Sequence, residues 1–188
     1  MNRAFIGVGS NIRPEENVTK AVDLLLRNPN LRVVGVSTFY RTQALLAPGV
    51  PTGPRHVNPD YLNGVLEVET ALGPSALSAV LEEVERALGR VRGPDKFAPR
   101  TMDLDLLIVL PPLHGLISRE GVGQEPYPPH PEVRTRAFVA LPLFELDPGL
   151  LLPPEGTPIS EVAESFRGFE GEREEAITAQ LRSRLDPP

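Results

Sequence analysis

At 188 residues the chain is long enough to bury a sizeable core and short enough to form one domain. Its hydrophobic fraction of 40% and charged fraction of 23% are those of a soluble globular protein, and the lack of cysteine excludes disulfides and thiolate metal centres. A net charge of −6 argues against nonspecific binding to nucleic acid, and no apolar stretch approaches the roughly 20 residues of a membrane span. A cytoplasmic protein is expected, without a signal peptide and without nucleic-acid or membrane partners.

The apolar run Ala4–Val8 ends in Gly7-Val8-Gly9-Ser10-Asn11 and predicts a strand entering a turn. Pro14 opens a helix whose buried face carries Val18, Ala21, Val22, Leu25 and Leu26. Leu31–Phe39 predicts a second strand, and Ala47–Pro59, rich in Pro and Gly, a loop. Tyr61–Thr70 alternates as a third strand. Pro74 starts a second helix with a stripe of Leu77, Val80, Leu81, Val84 and Leu88, which Gly89 ends. After a loop over Arg92–Pro99, Met102–Leu110 is a fourth strand. The order strand, helix, strand, strand, helix, strand predicts an α+β fold of the ferredoxin-like kind, an antiparallel sheet with its helices on one face. Extra C-terminal elements follow: a Pro- and Gly-rich loop over Pro111–Pro129, an apolar segment Ala137–Leu146, and an amphipathic piece with Ile159, Val162, Ala163 and Phe166. Residues 1–160 are read as the domain and 161–188 as a charged, helical extension.

The chemistry concentrates in Pro99-Arg100-Thr101-Met102-Asp103-Leu104-Asp105-Leu106-Leu107-Ile108. Residues two apart on a strand share a face at a spacing of about 7 Å, so Asp103 and Asp105 project together while Leu104, Leu106 and Ile108 fill the opposite side. Paired carboxylates of this kind can hold a pair of magnesium ions against substrate phosphates. Alone, such a pair more often just faces water. Here it opens an apolar strand directly after a basic stretch containing Arg86, Arg90, Arg92, Lys96 and Arg100. That stretch is either a solvated basic face, with Arg90 and Arg92 pairing with helix acids such as Glu82 and Glu85, or a cradle for phosphates. Gly7-x-Gly9 does not extend to a dinucleotide fingerprint, because Ile12 stands at the third glycine position, and the chain has no Gly-Lys-Ser/Thr phosphate loop.

Several blocks in order resemble the 6-hydroxymethyl-7,8-dihydropterin pyrophosphokinases: Gly9-Ser10-Asn11, Ser37-Thr38-Phe39-Tyr40-Arg41-Thr42, Asp60-Tyr61-Leu62-Asn63, Glu85 with Gly89-Arg90-Val91-Arg92, Pro99 to Asp105, Pro129-His130-Pro131 and Arg136-Ala137-Phe138. Each block is weak alone; the ordered set, spread over roughly residues 4 to 155, is specific. The resemblance implies magnesium-dependent transfer of pyrophosphate from ATP to the hydroxymethyl pterin, giving AMP and the pterin diphosphate on the way to folate. It implies two magnesium ions on Asp103 and Asp105, and Arg90, Arg92 and Arg100 as catalytic phosphate clamps. Glu85, Arg92, Arg100, Leu106, His130 and Arg136 would contact ATP. Thr42, Gln43, Leu45, Tyr61, Asn63 and Phe138 would hold the pterin, with Tyr61 and Phe138 sandwiching the flat ring and the Asn63 amide reading its edge. Gln43 departs from the proline usual in the family, and the loops over Ala47–Pro59 and Arg92–Pro99 are expected to act as lids. Small-molecule partners and a monomer are expected. Two other readings use the same residues: a metal-dependent phosphohydrolase or nucleotidyltransferase, and a nucleotide-binding module without turnover.

Overall fold

The computed structural model describes residues 1–44, 59–91, 93, 98–112 and 129–185. The expected loop and lid segments over 45–58, 92, 94–97 and 113–128, with Leu45 and Arg92 among them, lie outside the described residues. The first six elements are β1 (Asn2–Ser10), α1 (Pro14–Leu26), β2 (Leu31–Val36), β3 (Tyr40–Thr42), β4 (Tyr61–Thr70) and α2 (Pro74–Ala87). They are followed by β5 (Asp103–Leu110), α3 (Glu132–Thr135), α4 (Ala137–Leu146), β6 (Leu151–Leu152), β7 (Thr157–Pro158), α5 (Ile159–Glu164), β8 (Glu172–Arg173) and α6 (Glu175–Arg182). The main sheet runs β5-β1-β4-β3-β8, with β2 also paired to β4, and every pairing in it is antiparallel.

Alternation along the strands divides the buried residues between two faces. Ala4, Ile6 and Val8 of β1 join Leu62, Leu66 and Val68 of β4 on one face. There they pack against Val18, Ala21, Val22 and Leu25 of α1 and Leu77, Leu81 and Val84 of α2. The stripes read from the sequence are the ones that pack here, with Leu26, Val80 and Leu88 half-buried at their margins. Pro at the first turn starts both helices, and Gly89, at φ 78°, closes the second in the left-handed region that a glycine enters without strain.

The two helices of the strand-helix order thus share one face, and the C-terminal helices, whose place the sequence left open, cover part of the second. Phe5, Val65, Leu107 and Ile108 pack there against Val133 of α3, Val139 and Leu143 of α4, and Ile159 of α5. A β-bulge accounts for Ile108, which the alternation had put on the α1–α2 side. Ile6 pairs with Leu106 but Phe5 pairs with Ile108, so Leu107 is an extra residue and the parity of β5 reverses beyond it.

The single strand expected over Leu31–Phe39 is two. Beyond Val36 the Ser37 N–H still bonds the Val65 carbonyl at 3.0 Å, but it is the Ser37 hydroxyl that accepts from the Val65 N–H at 2.9 Å. The Thr38 N–H turns instead to the Glu145 carboxylate. Pairing to β4 resumes at Tyr40. The expected C-terminal extension is integrated as far as it is described: β8 pairs with β3, and Ile177 and Leu181 of α6 enter the core shared with α1 and α2.

Candidate active site

The face of the sheet that α4 leaves uncovered lies over Gly7 and Gly9. These glycines sit in two cross-strand rows: Asn63, Gly9 and Asp103 in one, Val65, Gly7 and Asp105 in the other. Having no side chains there opens a trough between an amide on β4 and two carboxylates on β5. A Cβ on Gly9 would stand 2.9 Å from Asn63 Oδ1, and one on Gly7 would stand 3.3 Å from the Leu107 side chain. The trough is the floor of a cavity of about 370 Å³, within the size range of small-ligand sites. Thr42, Gln43, Tyr61 and Asn63 form one wall, and Arg100, Asp103, Asp105 and Leu107 another. Glu132, Arg136, Phe138 and Val139 from α3 and the start of α4 form the third. Polar recognition groups and an aromatic thus face the charged cluster across a glycine floor.

Asp103 is held by two guanidinium groups, Arg100 Nη1 and, at 3.2 Å, Arg90 Nη2. Arg90 is itself anchored by a 3.1 Å bond from Nη1 to the Met102 carbonyl. Asp105 accepts no hydrogen bond among the described residues, and its carboxyl is pushed up to about 6. Burial is the largest cause; Asp103, Glu132 and Glu85 raise it further, while His130 pulls the other way. Burial works against the charge on Arg100, but the neighbouring Asp103 outweighs it and raises the guanidinium. The Tyr61 hydroxyl is raised by burial, with Arg100 opposing.

The loop carrying Arg100 is fixed by the turn after β1. Ser10 Oγ donates to the Thr101 carbonyl at 2.7 Å, and the Arg100 N–H donates to Asn11 Oδ1 at 2.7 Å. The Asn11 N–H returns a 3.1 Å bond to the Arg100 carbonyl, and Asn11 Nδ2 reaches Pro59 O at 3.1 Å. Glu85, 3% exposed on α2, accepts the Leu104 N–H at 2.8 Å and so grips β5 between the two aspartates. On the opposite wall Asn63 Nδ2 donates to Thr42 Oγ1 at 2.8 Å.

Nine of the residues singled out from the sequence therefore line one cavity: Thr42, Gln43, Tyr61, Asn63, Arg100, Asp103, Asp105, Arg136 and Phe138. Arg90 and Glu85 stand behind it, through Asp103 and Leu104. His130 is tied to β5 by its N–H to the Leu107 carbonyl at 2.8 Å, close enough to Asp105 to influence its charge. The Leu106 side chain points away, into the core under α1 and α2. Sequence reasoning passed over the glycine floor, Leu107, Glu132 and Val139. Gly7-x-Gly9 was visible as the end of a strand, as a failed dinucleotide motif and, at Gly9, within a family block, but not as the floor of a cavity.

The donor set suits magnesium. Two hard carboxylates share a cavity, and the burial that raises Asp105 is what a cation would relieve. Among the described residues no third acid or histidine completes a cage, which fits an ion that keeps waters and phosphate oxygens as its remaining ligands.

A family model described as 7,8-dihydro-6-hydroxymethylpterin-pyrophosphokinase (HPPK) matches residues 5–148. A 2-amino-4-hydroxy-6-hydroxymethyldihydropteridine pyrophosphokinase of Haemophilus influenzae is 34% identical over 169 residues, covering 88% of this chain and 94% of that protein. Its namesake in Pseudomonas aeruginosa is 35% identical over 173 residues, covering 90% and 96%. The one in Bacillus subtilis is 35% identical over 147 residues, covering 77% and 78%. A crystal structure of Plasmodium falciparum HPPK-DHPS aligns with a TM-score of 0.56 at 11% identity, over 88% of this chain and 44% of that one. At that identity the structural likeness speaks for the fold.

Proposed function

The chain belongs to the 7,8-dihydro-6-hydroxymethylpterin-pyrophosphokinase family, and from that premise we propose how its cavity carries out the reaction. The enzyme transfers pyrophosphate from ATP to 6-hydroxymethyl-7,8-dihydropterin, releasing AMP and the pterin diphosphate, a step of folate biosynthesis. The observation that carries the assignment of roles is the division of one cavity into a polar, aromatic wall and a charged wall across the glycine floor.

The pterin lies on the Asn63 side. With one N–H given to Thr42, the Asn63 amide keeps its other N–H and its carbonyl for a heterocycle that both donates and accepts. Tyr61 and Phe138 take the two faces of the ring, and Gln43 closes the edge. The triphosphate lies along Arg100, Arg136 and His130, with Arg90 behind them. Forked guanidinium donors match phosphate oxygens. The hydroxymethyl oxygen then attacks the β phosphorus and gives up its proton to water, the bond from that phosphorus to the oxygen bridging to the α phosphate breaks, and AMP leaves with that oxygen. The protein positions the reactants in line and neutralises charge. Asp103 and Asp105 would hold two magnesium ions, which when bound supply charge neutralisation along the phosphate chain. For Asp103 this means sharing or surrendering its contacts with Arg90 Nη2 and Arg100 Nη1, donors that phosphate oxygens can take in its place.

The strand order β5-β1-β4-β2 supports a ferredoxin-like core, to which β3, β8 and the later helices are added. A cytoplasmic monomer completes the reading. The test is product analysis in magnesium buffer: AMP should appear from ATP only when the pterin alcohol is present. Formation of ADP, or release of phosphate independent of the pterin, would refute the assignment.

A further inference from the structure

β3 is only three residues long, yet it carries Thr42, whose hydroxyl sets the Asn63 amide. On one side it pairs with β4; on the other its only strand partner among the described residues is β8, with Tyr40 opposite Arg173 and Arg41 opposite Glu172. Paired to β4 alone, so short a strand would be among the first elements to open.

The segment from Phe169 to Arg182 holds it shut. Both backbone groups of Phe39, the residue that enters β3, are taken by this segment. The Phe39 N–H donates to Thr178 Oγ1 at 3.0 Å, and its carbonyl accepts from the Glu174 N–H at 2.9 Å. Thr178 is 1% exposed, and its hydroxyl closes the circuit by donating to the Glu174 carbonyl at 2.8 Å. Arg41 joins three elements, with Nε on Glu174 and Nη2 on Glu15 of α1, each at 2.5 Å. Tyr40 packs edge-to-face on Phe169 at 5.6 Å between ring centres. Just upstream, the Glu145 carboxylate takes the Thr38 N–H and hydroxyl and is itself bound by Arg182.

We propose that Phe169–Arg182 is a positioning element of the pterin pocket: through Thr178 and Glu174 it fixes β3, hence Thr42, hence the Asn63 amide. This rests on the assignment of Thr42 and Asn63 to the pterin wall. Thr178 and Glu174 are positioning residues, since neither lines the cavity. The charged wall of Arg100, Asp103 and Asp105 stands on β5 and the stretch before it, whereas Thr178 and Glu174 bond to Phe39 and Arg41, so the effect falls on one substrate.

Thr178→Val removes the hydroxyl at nearly constant volume, Thr178→Ser keeps it, and Glu174→Gln weakens the link to Arg41. Well below the melting temperature, Thr178→Val should raise the pterin KM about 5- to 20-fold, the loss of one or two buried hydrogen bonds. The ATP KM and kcat should stay within about twofold, Thr178→Ser should behave as wild type, and Glu174→Gln should fall between. Amide hydrogen exchange should speed up over residues 39–42 in Thr178→Val ahead of the rest of the sheet. A lowered melting temperature with an unchanged pterin KM, or equal losses for both substrates, would overturn the proposal. If the wild type formed no AMP from ATP and the pterin alcohol, the reading of the site would fall instead. Exchange at β3 would then judge the tether by itself, and unchanged protection in Thr178→Val would reject it.

Discussion

Replacing Asp105 by Asn should make the metal-free protein more stable and the enzyme inactive. The Asp105 carboxyl moves from its ordinary 3.8 to about 6, chiefly by burial and then by Asp103 across the shared cavity. Two units at about 1.4 kcal/mol each give roughly 3 kcal/mol, and water still reaching the carboxylate trims this to about 1–2 kcal/mol. The sign follows from proton counting. Between about pH 4 and 6 the folded protein holds a proton on Asp105 that the unfolded chain has already released. Stability from this group is therefore full below pH 4, is lost as pH rises through 6, and is absent at neutrality. An amide cannot ionise and escapes that loss. In urea denaturation with EDTA, Asp105→Asn should exceed wild type by about 1–2 kcal/mol at pH 7.5, with the difference shrinking towards zero at pH 4.5. Magnesium with a nonhydrolysable ATP analogue should stabilise wild type and not the variant, because only ligand that binds the folded state adds stability. A variant less stable than wild type at pH 7.5, or a difference that does not change with pH, would refute the claim that Asp105 is a strained carboxylate awaiting a cation.

Other perturbations separate the walls of the cavity. Arg100→Ala should lower kcat/KM by about 100-fold or more, and Arg100→Lys should restore only part, since a single ammonium cannot fork across two oxygens; near-normal steady-state rates in the alanine variant would dismiss the clamp. Gly9→Ala drives a methyl group to within 2.9 Å of Asn63 Oδ1 and should raise the pterin KM well over Gly7→Ala, whose methyl meets only a movable Leu107 side chain at 3.3 Å. Equal effects of the two would show that the amide is not the sensitive partner. Glu85→Ala leaves the buried Leu104 N–H without its acceptor and should cost about 1–3 kcal/mol in chemical denaturation, with activity falling through displacement of the aspartates. Stability equal to wild type would mean that water replaces the carboxylate.

The site was largely legible because its chemistry lies on a period-2 pattern. Asp103 and Asp105 share a face for the same reason that Leu104 and Leu106 share the other, and residue order alone decides that. The buried stripes of α1 and α2 follow equally from spacing. What stayed hidden depends on partners distant in sequence. The bulge at Leu107 exists only in the pairing with Phe5 and Ile6, so nothing within β5 announces that Ile108 has changed sides. Ser37 ends β2 because its hydroxyl reaches Val65, 28 positions away, although Ser37 to Phe39 suit a strand by propensity.

The C-terminal segment shows why composition misleads about an element's role. Glu172–Arg182 is rich in charge and reads as part of a helical extension outside the domain, yet Ile177 and Leu181 lie one helical turn apart and enter the core, with Thr178 buried beside them. The charges are placed by the same geometry: Glu174 meets Arg41 on β3, and Arg182 meets Glu145 on α4. An exposed ion pair of this kind adds little stability. Glu174 is different in kind, since its backbone N–H and carboxylate engage adjoining stretches of the segment that leads into Thr42. Two short stretches thus settle the geometry of opposite walls: the Ser10-Asn11 turn fixes the backbone of Arg100, and the C-terminal segment fixes β3. On the proposed reading the aspartates and arginines supply the charge, and these tethers hold the opposite walls in register across the glycine floor.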